Sequence, residues 1–173
     1  GRSPFVMTNS DSSARKPQMV VVHYTAGGDK SSVEWLTKSK DSTVSAHYLI
    51  KGNGGVAQIV PDAMRAWHGG RGSWRGLPDV NSLSLGVEIV NWGFEGDHVP
   101  EDVDRSSCVT LSGSPHKWFP FPEEQYQSLA KVLVDFKERW HIQPSFFVGH
   151  SDIAPGRKVD PGPQFPWQTL HQA

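Results

Sequence analysis

The sequence predicts a mixed α/β fold in a single domain, with a central mixed β-sheet flanked by helices. Short apolar runs bounded by glycine-rich and polar segments are the pattern of buried strands. One long amphipathic segment with helical spacing lies in the C-terminal half of the chain. A length of 173 residues is enough for one domain with a sizeable core. We therefore expect a polar N-terminal arm, 1–16, and one folded domain, 17–173.

The strands are expected to form that central sheet. Five are predicted, near residues 18–24, 45–50, 56–60, 84–90 and 145–149. The run Gly52-Asn53-Gly54-Gly55 predicts a hairpin turn between the second and third strands, because such residues favour tight turns.

Two helices are predicted from their start signals and spacing. The shorter follows the first strand near Ser32–Lys38, with Ser31 or Ser32 as its N-cap. The longer runs from Pro122 to about Trp140, where proline and two acids occupy the first turn and apolar residues follow at helical spacing. Residues 92–120 are predicted to be a long irregular segment that flanks a binding cleft.

Composition excludes several classes of partner. The net charge of −1 and the pI near 6.8 give no reason to expect binding to nucleic acid or to an anionic membrane. No apolar stretch is long enough to be a transmembrane segment, and the single cysteine excludes an internal disulfide. Residues 1–16 are polar and begin with Gly1, so the chain is interpreted as a processed or trimmed product.

Two separate segments carry the residue types of a metal site. His23 ends the apolar run Met19–Val22, so it is expected at the carboxyl end of a buried strand. His150 and Asp160 lie on a downstream loop rich in glycine and proline. Two imidazoles and one carboxylate suit a catalytic Zn²⁺, which keeps a fourth position open for water or substrate.

A closed structural zinc site is not expected, because such sites usually have four protein ligands rich in thiolate and the chain has only Cys108. The alternative interpretation makes His150 a loop histidine satisfied by hydrogen bonds and Asp160 a turn-forming residue before Pro161. The pairing with a strand-end histidine favours the metal site.

Five motifs follow one another along the chain: VVHYTAGG at 21–28, SAHYLI at 45–50, AWHGG at 66–70, LGVEIVN at 85–91 and GHSDIAPGRKVDPGPQFPW at 149–167. Together they resemble the type-2 N-acetylmuramoyl-L-alanine amidases, the zinc amidases related to AmpD, AmiD and the peptidoglycan recognition proteins. The resemblance runs from about residue 17 to 170, and the last motif is the most specific. Details such as Ser73-Trp74-Arg75-Gly76 look closer to the envelope-associated, AmiD-like branch. This favours the periplasm or cell envelope, with the cytoplasm as the alternative.

The resemblance implies a role for each matching residue. His23, His150 and Asp160 match the family's ligands for one zinc ion. Glu88 matches the carboxylate that activates the attacking water, and Lys158 matches the cation two residues before the aspartate ligand. The implied reaction is hydrolysis of the amide between the lactyl group of N-acetylmuramic acid and L-alanine of the stem peptide. The implied partners are peptidoglycan or muropeptides.

The chemistry of amide hydrolysis gives these residues independent support. Glu88 lies in the apolar run 85–91, where an ionised side chain is costly unless it faces a polar cavity or a charge. A general base that faces the attacking water would lie in such a polar cavity. The alternative interpretation places Glu88 on the solvated face of an edge strand. Lys158 would place a positive charge near the oxyanion that develops during amide hydrolysis. The alternative interpretation makes it an ordinary surface lysine.

Substrate contacts are the least specific part of the interpretation. His68 lies beside glycines that permit close approach of another chain, and it is expected to contact substrate together with Trp67, Trp74 and Asn91. His47 alternates with apolar neighbours, so it is expected to be a satisfied core histidine and not a ligand.

The sequence therefore predicts a zinc-dependent peptidoglycan amidase. Two alternatives remain open at this point. One is a muropeptide-binding module that has kept the fold without cutting its ligand, which the intact set of ligands, base and cation argues against. The other is a zinc hydrolase of another amide, because the motifs specify the chemistry at the metal more firmly than the sugar or the stem.

Overall fold

The computed structural model describes residues 16–37 and 43–171. In chain order the strands are β1 (Met19–Tyr24), β2 (Tyr48–Ile50), β3 (Val56–Gln58), β4 (Ser84–Ile89), β5 (Val109–Thr110), β6 (Lys117–Trp118) and β7 (Phe147–Gly149). The helices are α1 (Asp29–Thr37), α2 (Val80–Leu83), α3 (Glu123–Trp140), α4 (His150–Ile153) and α5 (Trp167–His171). Within these described ranges, no helix is both long enough and apolar enough to cross a bilayer.

The central sheet is mixed, as the sequence predicts. Its five strands are ordered β3-β2-β4-β1-β7. β1 pairs in parallel with both β4 and β7, β4 also pairs in parallel with β2, and only β3 is antiparallel. The residues between β2 and β3 form the expected hairpin turn, in which the Gly54 N–H donates to the Lys51 carbonyl at 2.9 Å. Parallel pairing brings the carboxyl ends of β1, β4 and β7 to one edge of the sheet.

The two faces of β4 differ in character, because side chains alternate along a strand. Leu85, Val87 and Ile89 pack in the core that covers one face, where they meet Leu129 and Phe136 of α3. Ser84, Gly86 and Glu88 point to the opposite face. The face away from α3 therefore carries the polar and small residues of this strand.

Three predicted strands are shorter in the structure than in the sequence analysis. The strand expected at 45–50 begins at Tyr48, although the His47 N–H already donates to the Gly86 carbonyl at 3.0 Å. The strand expected at 56–60 ends at Gln58, and the one expected at 145–149 begins at Phe147. A single turn of 3₁₀-helix, Pro144–Phe146, replaces the start of that last strand.

The helix predictions differ in outcome. The long helix is confirmed, with Pro122 at its N-cap and Trp140 as its last residue. The start of the first helix was placed wrongly: α1 begins at Asp29, so Ser31 and Ser32 lie inside it and cap nothing. The Ser32 N–H donates to the Gly28 carbonyl at 2.9 Å, so the helical hydrogen bonds begin before either serine. Lys38 lies outside the described residues.

The segment 92–120 is mostly irregular, as predicted, but it contains a small antiparallel pair, β5 and β6. The Phe119 N–H donates to the Gly93 carbonyl at 2.9 Å, which joins the two ends of the segment. This closure holds the segment beside the carboxyl end of β4.

Candidate active site

Strand register brings His23 and Glu88 together. The two residues are direct partners in the parallel pairing of β1 with β4. Paired residues of parallel strands point to the same face of a sheet, so the imidazole and the carboxylate lie side by side on the face away from α3. His23 is the only polar residue among the first five residues of β1, which are all buried. The local sequence and the register therefore place both groups at one edge of the sheet.

His150 reaches the same edge because it follows β7 directly. Asp160 returns to it on the loop after α4, where the Ser151 N–H donates to the Asp160 carbonyl at 2.9 Å. This return needs a residue without a side chain at the end of β7, since a Cβ at Gly149 would lie 2.5 Å from Cδ of Pro161. Gly149 thus permits the loop to lie close enough for its carboxylate to meet the two histidines.

Three potential ligand atoms converge at this point. Nδ1 of His23 lies 2.9 Å from Nδ1 of His150 and 3.0 Å from Oδ2 of Asp160. Nδ1 of His150 lies 3.0 Å from the same carboxylate oxygen. Ligands placed tetrahedrally about 2.0–2.1 Å from Zn²⁺ are separated by about 3.3 Å, so this donor set fits the ion with small adjustments. All three residues are buried, and no other group of three such side chains within reach of one another is found among the described residues.

The charge balance of the cluster also favours a cation. Burial lowers the pKa of His23 below its ordinary value, although the neighbouring carboxylate opposes that shift. Burial alone would raise the pKa of Asp160, but hydrogen bonds with His150 and His23 hold it below the usual range. A hydrogen bond to an ionised carboxylate requires a proton on the imidazole nitrogen, and a divalent metal ion would take the place of that proton at each Nδ1 atom.

Glu88 opens toward a cleft. It is one of the residues that line a cavity of about 320 Å³, together with Tyr24, the loop 25–27 and the α1 residues Ser31, Ser32, Trp35 and Leu36. Its Oε2 atom is enclosed and has no hydrogen-bond partner among the described residues. Burial raises the pKa of Glu88 well above its ordinary value, the Asp160 charge adds to this shift, and Lys158 opposes it. Glu88 thus has the environment of a group that exchanges a proton in the cleft.

A second cavity in the described part of the chain has a different character. It measures about 480 Å³ and lies between α3 and α5, lined mainly by apolar residues such as Leu133, Phe147 and Trp167. None of the metal-ligand candidates lines it, and neither does Glu88. The smaller cleft, which Glu88 lines, is therefore the candidate active site.

Lys158 is exposed, two residues before Asp160. Its positive charge acts on both Glu88 and His23: it opposes the rise in the pKa of Glu88 and adds to the lowering of the pKa of His23. Its position is compatible with stabilising negative charge at the mouth of the site.

His68 occupies a different place from the one expected. It is buried, and its Nδ1 lies 3.0 Å from Nε2 of His23 while its Nε2 lies 3.1 Å from Oγ of Ser84. Both ring nitrogens therefore contact protein groups beneath the metal-ligand cluster, which leaves no ring nitrogen for a substrate. His47 is a satisfied core histidine, as expected: its Nε2 donates to the Met64 carbonyl at 2.9 Å and its Nδ1 accepts from the Gly86 N–H at 2.9 Å.

The other three residues expected at the substrate have mixed positions. Trp67 is 40% exposed, with the Arg65 guanidinium 4.1 Å from its ring centroid, so it remains accessible. Trp74 donates from Nε1 to the Ser145 carbonyl at 2.9 Å, at the end of β7 opposite to His150. Asn91 is buried. Its Nδ2 donates to the Pro120 carbonyl at 2.9 Å, and its Oδ1 accepts from the Gly93 N–H at 2.7 Å. Trp74 and Asn91 thus shape loops around the sheet.

Sequence analysis missed the supporting residues Ser84, Gly69 and Asn81. The Gly69 carbonyl accepts from Nε2 of His150 at 3.2 Å, and Asn81 Oδ1 accepts the backbone N–H groups of His68 and Gly69 at 3.1 and 2.8 Å. The alternation of Ser84, Gly86 and Glu88 along β4 was the available signal, because it marks the face shared with His23.

Comparisons with known proteins agree with this geometry. The family model described as N-acetylmuramoyl-L-alanine amidase matches residues 13–163. The N-acetylmuramoyl-L-alanine amidase AmiD of Escherichia coli is 39% identical over 163 residues, which cover 90% of this chain and 52% of that protein. The 1,6-anhydro-N-acetylmuramyl-L-alanine amidase AmpD of Enterobacter cloacae is 29% identical over 173 residues, covering 90% of this chain and 80% of that one.

A solved structure of the Escherichia coli AmiD in complex with the substrate anhydro-N-acetylmuramic acid-L-Ala-D-gamma-Glu-L-Lys superimposes with a TM-score of 0.75 and 34% identity. The similarity covers 95% of this chain and 60% of that one, so the chain spans only about half to three fifths of the AmiD relative. Because the family model covers most of the sequence, the chain belongs to the N-acetylmuramoyl-L-alanine amidase family.

Proposed function

We propose that this chain is a zinc-dependent amidase that hydrolyses the bond between N-acetylmuramic acid and the L-alanine of the stem peptide. The observation that carries the proposal is the convergence of Nδ1 of His23, Nδ1 of His150 and Oδ2 of Asp160 within 2.9–3.0 Å, beside Glu88 on the neighbouring strand. These three residues would hold one Zn²⁺. When bound, the ion would supply Lewis acidity toward the amide carbonyl and lower the pKa of a water molecule.

The remaining chemistry is assigned to the protein's own groups. Glu88 takes a proton from the attacking water and returns it to the departing amine of L-alanine, a role suited to a carboxylate with a raised pKa in a cleft. Lys158 offers positive charge to the oxyanion that develops on the carbonyl oxygen. The products are a lactyl carboxylate on the sugar and a free amino group on the stem peptide.

Two relatives support the choice of substrate. One AmiD structure contains an anhydromuramoyl tripeptide described as its substrate, and the AmpD relative is named for a 1,6-anhydro muramoyl amide. We further propose that Trp67, which is accessible, contributes to binding of the sugar or peptide.

Mass spectrometry of digests of purified peptidoglycan tests the proposal. We expect the released stem peptides to begin with a free L-alanine. A chelator should stop their release, and added zinc should restore it. A Glu88→Gln protein serves as the matched control, because it should bind zinc and muropeptide but release products roughly 10²-fold more slowly. Binding of peptidoglycan by the wild-type protein without release would favour a non-catalytic binding module, and active protein with no metal on elemental analysis would overturn the zinc assignment.

The place of action is a separate proposal. The resemblance to the envelope-associated, AmiD-like branch supports a periplasmic or cell-envelope role in peptidoglycan turnover. An enzyme of the envelope is expected to release peptides from intact sacculi as well as from 1,6-anhydro fragments. Release from fragments alone would favour cytoplasmic recycling of murein.

A further inference from the structure

A line of hydrogen-bonding groups runs beneath the metal-ligand cluster. Oγ of Ser84 donates to the Val80 carbonyl at 2.5 Å and lies 3.1 Å from Nε2 of His68. Nδ1 of His68 lies 3.0 Å from Nε2 of His23, whose other ring nitrogen faces Asp160. The line therefore connects a backbone carbonyl to the ligand atom of His23.

The direction of each hydrogen bond follows from the first. A carbonyl can only accept, and a serine has a single hydroxyl proton, so Ser84 must present an oxygen lone pair to His68. Nε2 of a neutral His68 then carries its proton, which leaves Nδ1 as an acceptor. That acceptor takes a proton from Nε2 of His23 and leaves Nδ1 of His23 with a free lone pair toward the cluster.

We propose that His68 and Ser84 are positioning residues that fix the tautomer of His23, so that its Nδ1 is always the atom presented to the metal. The inference rests on the metal site of the proposed function. It gives His68 a role in the site that does not require contact with substrate. Partners of this kind fix the orientation of a ligand imidazole and increase its affinity for the metal.

The two histidine ligands differ in how their tautomers are set. His150 donates from Nε2 to the Gly69 carbonyl, which is an acceptor in every state. The partner of His23 is another imidazole, which can act as donor or acceptor at either nitrogen, and the hydroxyl of Ser84 removes that ambiguity. The adjacent residues His68 and Gly69 thus orient both histidine ligands. Oδ1 of Asn81 accepts hydrogen bonds from the backbone N–H groups of His68 and Gly69 and holds these two residues in place.

Gly86 provides the space that this arrangement needs. A Cβ at Gly86 would lie 2.3 Å from Cγ of His68, so the imidazole occupies the place where a side chain of β4 would stand. The His68 ring is therefore confined between β4 and His23, which fixes its position.

Nitrogen-15 NMR of the histidine rings in the zinc-loaded wild-type protein is the direct test. We expect the proton on Nε2 in both His68 and His23. A proton found on Nδ1 of His68 overturns the inference, and this measurement needs no variant to fold.

Variants test the consequence for zinc affinity, measured by competition with a chromophoric chelator. Ser84→Ala and His68→Leu should each weaken zinc binding roughly 10- to 100-fold, whereas His68→Asn, which can place an amide oxygen near the position of Nδ1, should recover most of the affinity. Tyr48→Phe removes one buried hydroxyl away from the site and should leave the affinity unchanged.

Wild-type affinity in both Ser84→Ala and His68→Leu would overturn the inference. Neither measurement involves a substrate, so the two proposals fail separately. A wild-type protein with the expected tautomers and zinc affinity but no amidase activity would overturn the proposed function alone.

Discussion

Asp62 and Asp160 are equally buried, at 7% and 8% exposure, but they are surrounded by opposite kinds of group. Asp62 lies between β3 and α3, and hydrogen-bond donors surround its carboxylate. Its Oδ1 accepts from the Tyr48 hydroxyl at 2.8 Å and from Gln58 at 3.0 Å. Its Oδ2 accepts from Arg139 at 2.9 Å and from Nε1 of Trp140 at 3.1 Å.

Asp160 faces imidazole nitrogens instead. Its Oδ2 lies 3.0 Å from Nδ1 of both His23 and His150, and each of those rings bonds its other nitrogen to a group outside the cluster. A carboxylate that is closed by donors ties elements of the fold together, as Asp62 joins β2 to α3. A buried carboxylate beside two imidazole nitrogens forms, together with them, a donor set that suits a metal ion. Burial alone therefore does not identify a functional carboxylate. The kind of group that surrounds the carboxylate distinguishes Asp160 from Asp62.

The same substitution at the two positions gives the largest expected difference. Asp160→Asn replaces a charged ligand by a neutral amide, so zinc affinity should fall more than about a hundredfold and activity should fall with it. Excess zinc should restore part of the activity. Asp62→Asn should keep the wild-type zinc affinity, because the Asp62 carboxylate bonds Arg139 and Trp140 of α3, which covers the other face of the sheet. Chelator competition measures both, and an equal loss in the two variants would break the distinction.

Glu88→Gln separates proton transfer from metal binding at the open site. The amide cannot accept a proton, so kcat should fall roughly 10²-fold or more while zinc remains bound. The fall in kcat/KM should match it, with little change in KM, if the lost interaction belongs to the transition state. Glu138→Gln, on the exposed side of α3, is the control for loss of one carboxylate. A near-normal kcat for Glu88→Gln would show that another group activates the water.

Lys158→Ala tests the cation at the mouth of the same site. Loss of charge near the developing oxyanion should lower kcat roughly 10²-fold without loss of zinc. Lys131→Ala on α3 removes an equally exposed lysine far from the cleft and should have no effect. Equal rates in the two variants would assign Lys158 to the solvated surface.

Stability should rank the two aspartates in the reverse order. The four donors to Asp62 are Tyr48, Gln58, Arg139 and Trp140, so either orientation of an asparagine sets its NH₂ group against donors. Asp62→Asn should therefore lower the free energy of unfolding by about 2 kcal/mol. In zinc-free protein Asp160→Asn should cost about 1 kcal/mol, because its carbonyl oxygen still accepts from one imidazole while its NH₂ can donate to the other. Urea unfolding in the presence of chelator measures both, and a larger cost at Asp160 would contradict the comparison.

Local sequence was sufficient to predict which side chains converge at the candidate site. His23 at a strand end, Glu88 in an apolar run and the loop with His150 and Asp160 were all predicted, and the structure brings all four together. Lys158, in the same loop, lies near them. The mixed sheet and the long helix were predicted too, because their apolar periodicity is strong.

Groups defined by register could not be predicted in the same way. Ser84 matters because β4 pairs with β1 and presents it to His68, which no local pattern states. The donors around Asp62 come from elements up to 78 residues away in sequence. The start of α1 was missed because two serines resemble a cap, whereas the helical hydrogen bonds already begin at Gly28.

Tyr48→Phe removes only one of the donors to Asp62, and it tests how completely that carboxylate is surrounded by donors. The variant removes one donor but leaves Gln58 on the same oxygen, so it should cost only about 1 kcal/mol at neutral pH. Burial, followed by the hydrogen bond to Asp62, raises the pKa of Tyr48 to about 12. An unfolded tyrosine titrates near 10, so the stabilisation by the neutral hydroxyl is complete below about pH 10 and is lost as the pH rises through 12. The free energy of unfolding of the wild type should therefore fall more steeply between about pH 10 and 12 than that of Tyr48→Phe. Parallel curves from urea unfolding across this range would show that the Tyr48 hydroxyl is no more protected in the folded protein than in the unfolded chain.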